Sequence, residues 1–348
     1  MSKNEAELRH KSVQVSSRPI TASIMITVGL GILAFVLALS VSVGAANIDL
    51  LTVWESIFHY NPNSTEHSII HQIRIPRSVA DIAVGASFAV AGSLMQGMTR
   101  NPLADSGLLG LNAGAIFMVA LCFAFFPGIS YNFLILFSFL GAGLSVALVY
   151  GIGSLSRKGV TPIRLVLAGS AVTALFTALS EGVSIYFNLS QDLAFWFAGG
   201  MAGVKWAQLK LVLPWIIAAL VGALVISRSI TVLSLGEEVA TGLGQRTKSV
   251  KIAGAVIVFV LAGASVSVAG PIGFVGLVVP HITRFLVGVD YRWIIPCSAV
   301  LGGLLASLAD IGARMINAPH ETPIGAIFAL VGVPFFLYVA RKEGREMQ

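Results

Sequence analysis

The chain reads as an all-α integral membrane protein of about ten transmembrane helices, and three observations predict this. Of its 348 residues, 56% are hydrophobic and 11% charged, with a mean hydropathy of +0.88; a soluble domain carries about 25% charged residues. Apolar stretches of roughly 20 residues, the length that crosses a bilayer as a helix, recur from end to end. Lysine and arginine are divided very unequally between alternate connections, as the positive-inside rule requires.

The expected spans are 20–46, 76–98, 107–127, 132–155, 162–187, 209–230, 250–269, 272–289, 293–316 and 324–341. The first follows Lys3, Arg9, Lys11 and Arg18 and is far longer than the roughly 7–15-residue core of a signal peptide, so it reads as a helix. The eighth is the least regular, because Pro271, Gly273, Gly276 and Pro280 shorten or break it. Ten spans place both termini on one side. With that side inside, seventeen of the 22 lysines and arginines fall on inner segments. The outer five are Arg74, Arg77, Lys205, Lys210 and Arg314. No repeat or linker divides the chain, which gives one membrane domain over 20–342 between inner tails at 1–19 and 343–348.

Cys122 and Cys297 fall singly in apolar stretches and read as small buried hydrophobes, not as a redox pair or thiolate site. The 36 glycines read mainly as helix-packing positions, with Gly199 and Gly203, or Gly303 and Ser307, at small-xxx-small spacing.

Against this apolar background the segment Ser234–Lys248 is polar and punctuated by glycine, so it lies outside the bilayer. Two short helices broken by Gly242 and Gly244 are expected there, forming a knob presented to a cytoplasmic partner. No G-x-x-x-x-G-K-[ST] loop is present to cradle phosphate, and Gly242-Leu-Gly-Gln-Arg-Thr-Lys248 lacks the glycine-lysine pair. Zinc-ligand spacing, a nucleophile elbow and a catalytic carboxylate pair are missing too. The chain reads as a non-enzyme without a cofactor of its own.

Three carboxylates lie within spans: Asp81, Glu181 and Asp310. Asp81 stands four residues after Arg77 and Asp310 four before Arg314, so each is expected to pair along its own helix face and to stay half-solvated. Glu181 has no such partner and is the one candidate for a proton- or sodium-coupled carrier. In Arg74-Ile-Pro-Arg77 the proline suits a helix start, but two arginines there oppose the helix dipole. They read either as interfacial anchors or, with Arg314, as docking points for an acidic external partner. Gln96, Asn101 and Asn112, around a turn made rigid by Pro102, either line a water-filled path or belong to a plain hairpin. His59, His67 and His71 read as solvated loop residues, and Phe195, Trp196 and Trp206 as interfacial aromatics on a short surface helix.

Several of these segments together resemble one family. They are Ile73-Arg-Ile-Pro-Arg77, Gln96-Gly-Met-Thr-Arg-Asn-Pro-Leu-Ala-Asp105, Gly107-Leu-Leu-Gly110, Gly270 to Arg284, Ala309-Asp-Ile-Gly-Ala-Arg314 and Glu321-Thr-Pro-Ile-Gly325. The chain, over about 20–342, resembles the FecCD-type permeases of bacterial ABC importers for iron-siderophores, haem and cobalamin. The resemblance implies a ten-helix subunit of the type II importer fold in the bacterial cell membrane, paired with a second, identical or paralogous permease. It implies two cytoplasmic ATPase subunits, which carry the ATP and Mg, and an external substrate-binding (lipo)protein. Ser234, Leu235, Gly236, Glu237, Glu238, Ala240, Gly242 and Gly244 then match coupling helices seated on the ATPase, and Arg74, Arg77 and Arg314 match arginines that meet glutamates of the binding protein. Asn101, Pro102 and Leu103 match one gate segment. A second gate falls at Thr161, Pro162 and Ile163, where the residues depart from the small polar ones the family leads us to expect. The implied activity is ATP-driven import of ferric siderophores; cobalamin or haem import, and an ion-coupled carrier, are the alternatives. A pore-less membrane anchor is disfavoured by polar residues at matching depths in several spans.

Overall fold

The computed structural model describes residues 17–43, 48–154, 162–189, 191, 193, 199–317, 320 and 322–346. Helix α1 spans Pro19–Ser42, and two short helices follow, α2 (Leu50–Phe58) and α3 (Thr65–Ile69). A π-helical turn, Ile70–Arg74, joins α3 to α4 (Ile75–Thr99). A 3₁₀ turn at Ser106–Leu109 leads into α5 (Leu111–Phe125), α6 (Tyr131–Ser154) and α7 (Pro162–Tyr186). Then come α8 (Trp206–Ser234), the six-residue α9 (Glu237–Gly242), α10 (Thr247–Ala269), α11 (Val275–Val287), α12 (Tyr291–Ile316) and α13 (Ile324–Glu346). Ten helices thus stand at the ten expected spans. Seven are long and apolar enough to cross a membrane, while Leu111–Phe125, Val275–Val287 and Ile324–Val339 are shorter apolar helices. Thr161 and Glu321, with the basic residues Lys3, Arg9, Lys11, Arg157 and Lys158 and the aromatics Phe195 and Trp196, lie outside the described residues, as do the side chains of Pro162 and Ile163.

Helix α4 is the axis of the bundle. Twenty of its 25 residues are buried, and α12, α10, α8 and α11 pack around it. Close approach is possible because small residues face one another. A Cβ on Gly85 would collide with the backbone of Gly302 on α12, and one on Gly92 with the backbone of Gly276 on α11. These pairs, with Gly114 against Gly141 between α5 and α6, carry the packing role expected of other glycines. Gly303 packs as expected, since a Cβ there would stand 3.3 Å from the Ile82 side chain and 3.4 Å from its carbonyl, whereas Gly199 occupies a turn with φ +64° and Gly203 meets nothing within 4 Å. Helices α5, α6 and α7 form a second group that joins the axis through α10. Both cysteines are free and buried.

Two irregularities position the polar residues. The helix that contains α4 starts eleven residues earlier than expected, at Thr65, and runs to Thr99. Pro76 has no amide to donate, and just before it the Ile75 amide bonds to the Ile70 carbonyl in an i→i+5 step. Pro76 therefore sits inside a continuous helix, not at its start. The eighth span is short as expected. Gly270–Phe274 is not helical, Phe274 adopts φ +69°, and α11 has only 13 residues with Pro280 inside it.

Candidate functional site

Polar residues gather at the two ends of the bundle, one marked by arginines and the other by α9. At the arginine end Arg77 grips Asp310 through Nε at 3.1 Å and Nη2 at 2.8 Å. Arg314 reaches the second oxygen of the same carboxylate at 2.9 Å. It also donates to the carbonyls of Ser40 and Val43 at 2.9 and 3.0 Å, and to Ser40 Oγ at 2.6 Å. Arg74 donates to the carbonyls of Val41 and Ser42, both at 2.7 Å, and the Ser40 and Ser78 hydroxyls share a hydrogen bond of 2.8 Å. This network ties the end of α1, the π-turn, α4 and α12 together.

The geometry corrects the expectations for this end. Arg74, Arg77 and Asp310 are only 7%, 8% and 1% exposed, so the charges are internal and compensated. Arg77 pairs across helices with Asp310, not along its own helix with Asp81. Asp81 is fully buried, and neither of its oxygens meets a donor among the described residues. Half-solvation therefore holds for neither carboxylate. A pocket of about 250 Å³ opens beside the network, lined by Arg77, Asp310, Tyr131, Gly199, Gly200 and Thr322 among others. The histidines nearby are structural. His67 is buried and its Nδ1 accepts the Asn61 amide at 3.0 Å, while His71 Nε2 lies 2.8 Å from the Ser56 carbonyl. Trp206 begins α8 and donates to the His71 carbonyl at 2.7 Å. No cluster that could hold a metal occurs among the described residues.

At the other end α8 stops at Ser234. Gly236 takes φ +132°, a backbone shape that side chains with a Cβ rarely adopt. One short helix follows, not two: α9 runs through Gly242, and Gly244 at φ +80° makes the return turn. The knob is held from within. Gln245 Nε2 donates to the Ser229 carbonyl at 2.8 Å, and Lys251 Nζ donates to Glu237 Oε2 at 2.6 Å. The Lys251 hydrogen bond holds the Glu237 carboxyl below its usual range. Ala240 is fully buried and seats α9 on the bundle. Leu235, Val239 and Leu243, four residues apart, are 37%, 47% and 69% exposed and present an apolar ridge.

At this same end Arg100 caps α4 at φ +54° and Asn101 Oδ1 accepts the Leu103 amide at 2.9 Å, so Asn101-Pro102-Leu103 is a rigid turn. Asn101 is exposed and Asn112 half-buried. Gln96 lines no path. It is 2% exposed, donates to the Gly276 carbonyl at 3.2 Å and accepts from Arg284 Nη2 at 2.6 Å. Glu181 is exposed on α7.

A model of the FecCD transport family matches residues 32–342. The chain belongs to the FecCD family. Among curated FecCD relatives, the iron(3+)-hydroxamate import system permease protein FhuB of Bacillus subtilis (strain 168) is 56% identical over 338 residues, which cover 96% of this chain and 87% of the relative. The iron-uptake system permease protein FeuB of the same organism is 41% identical, with 95% and 98% covered. A solved putative metal-chelate type ABC transporter in an inward-facing conformation superposes with a TM-score of 0.81 at 26% identity, over 92% of this chain and 99% of that one. This FecCD chain therefore has the type II importer permease fold and is a membrane protein.

Sequence reasoning missed Val239 and Leu243, the Arg284–Gln96 bond and the Arg77–Asp310 bridge. The first two lie in a helix too short to show periodicity. The others join residues 188 and 233 positions apart, and nothing local marks them.

Proposed function

We propose that this chain is a permease subunit of an ATP-driven importer of iron(III)-siderophore complexes, with ATP and Mg bound by a separate ATPase partner. The observation that carries the reading is the 56% identity to an iron(3+)-hydroxamate import permease over 96% of the chain. A second permease subunit, identical or paralogous, completes the path. The α9 end faces the cytoplasm, as do both termini, in keeping with the excess of lysine and arginine on those segments. The Leu235–Val239–Leu243 ridge docks on the ATPase, and the loop from Ser234 to Gly244, including Glu238, turns as one body with it.

The external binding protein docks at the arginine end. Arg77 is the arginine of this network that lines the 250 Å³ pocket, so an acidic side chain of that protein reaches it there in competition with Asp310. Asn101-Pro102-Leu103 and Thr161-Pro162-Ile163 are gate segments. The test is to purify the chain with its ATPase and binding protein, reconstitute it in vesicles, and follow ATP-dependent uptake of radioactive ferric trihydroxamate. Stimulated ATPase activity with iron uptake supports the reading. Uptake of haem or cobalamin alone moves the cargo to the alternative, and uptake that follows a proton gradient without ATPase overturns the importer.

A further inference from the structure

Glu181 stands outside everything assigned above. Helix α7 exposes one long face, and Glu181 lies on it between Leu175 and Leu179 on one side and Ile185 and Tyr186 on the other, all four exposed. These residues bracket it within the apolar band. Insertion scales put a carboxylate in hydrocarbon at about 2.5–3.5 kcal/mol at a helix centre and less toward the ends, so Glu181, close to the end of α7 at Tyr186, favours a face that meets water. A second observation agrees. Ser170, Thr173, Thr177 and Glu181 follow one stripe of the helix and line a groove of about 530 Å³ that also takes in Gly107. The groove therefore runs along α7 from Gly169 to Glu181, lined by hydroxyls and one carboxylate. Among the described residues no lysine, arginine or histidine forms an ion pair with Glu181, so its charge is free to act on whatever passes.

We propose that Glu181 is a charge-selecting residue of the cargo path, favouring neutral or cationic ferric chelates over anionic ones. The inference rests on the importer reading above and deepens it. Three hydroxamates around Fe(III) cancel its charge, three catecholates leave −3, and citrate complexes are anionic. A fixed carboxylate in a groove with no compensating cation repels the last two and tolerates the first. The stripe of hydroxyls offers hydrogen bonds to a neutral chelate without holding it tightly, as a path requires.

The experiment uses the reconstituted importer with one binding protein and one linear ferric trihydroxamate in three forms: a free terminal amine (+1), its acetyl derivative (0) and its succinyl derivative (−1). Uptake of each is measured in wild type, Glu181→Gln and Glu181→Lys. Comparing variants under the same binding protein cancels that protein's own preference. The expected result is that E181Q raises the succinyl-to-amine uptake ratio by on the order of three- to tenfold, as removal of one partly screened unit charge a few ångströms away implies, and that E181K raises it further. Should E181K fail to assemble, the isosteric E181Q carries the test. Transport by E181Q with the three-way ratio unchanged overturns the proposal. A wild-type complex that takes up none of the three with ATP overturns the importer reading instead, so the two failures are distinct.

Discussion

Helices α4 and α7 each contain 25 residues, and the spans that hold them share a hydropathy of 1.5, yet 89% of one window is buried and 28% of the other. Each also carries a carboxylate. Asp81 and its neighbours are sealed among arginines, whereas Glu181 stands on an open face. Hydropathy therefore marks both as spans and cannot rank them. What separates them is close contact: Gly85 and Gly92 of α4 meet the backbones of Gly302 and Gly276, whereas a Cβ on Gly182 of α7 meets nothing within 4 Å, and in lipid such contacts, not water exclusion, hold helices together. The axis is built for packing and α7 for access.

Substitutions can break this contrast, and the largest effect is expected at the axis. Gly92→Leu drives a side chain into the Gly276 backbone, where nothing can yield, and should abolish a monodisperse species in detergent. Gly182→Leu on α7, where a Cβ meets nothing within 4 Å, should elute and melt like wild type. Equal damage by both would erase the distinction. The next effect is electrostatic. Asp310→Asn leaves Arg77 and Arg314 without their shared carboxylate, a loss on the order of 3–5 kcal/mol for a buried pair broken from one side. A large drop in Tm by thermofluor follows, while Glu181→Gln should move Tm little. If Asp310→Asn melts like wild type, the network does not hold α1, α4 and α12 together.

The smallest effect belongs to the surface bridge of the knob. Glu237 and Lys251 side chains are 51% and 33% exposed, so their pair contributes under about 1 kcal/mol, and Glu237→Gln should lower Tm by no more than about 2 °C. The Lys251 hydrogen bond holds the Glu237 carboxyl below its ordinary value of 4.5. Its contribution is thus full above that value and fades as the pH falls through the lowered one. A Tm difference between wild type and E237Q that is constant from pH 6 to 8 and shrinks in 1 M salt is the expected signature.

Much of the architecture was legible because a bilayer demands long apolar runs: a helix stands at each of the ten runs, seven of them long enough to cross and three shorter. The irregular eighth span was legible through Pro271, Gly273 and Pro280. The π-turn was not, since Pro76 beside two arginines reads equally well as a helix start. Long-range partnership was not legible either. Arg77 had Asp81 four residues away and chose Asp310, and Gln96, apparently a path residue, was claimed by Arg284. At the knob, Gly244 marked a turn as read, but Gly242 closes α9 and the other turn falls at Gly236; whether Ala240 or Val239 faced outward depended on a contact the sequence does not display.

The bond from Gln245 to the Ser229 carbonyl makes α8, α9 and α10 a single mechanical part. Helix α8 has 29 residues with Pro214 inside it, and the stretch after that proline makes about 30 Å of rod. A tilt of roughly 5° at one end of such a rod displaces the other by about 3 Å. The knob is in this sense the short arm of a crank, and the clasp at Gln245 is the pin that keeps its stroke from being lost as slack.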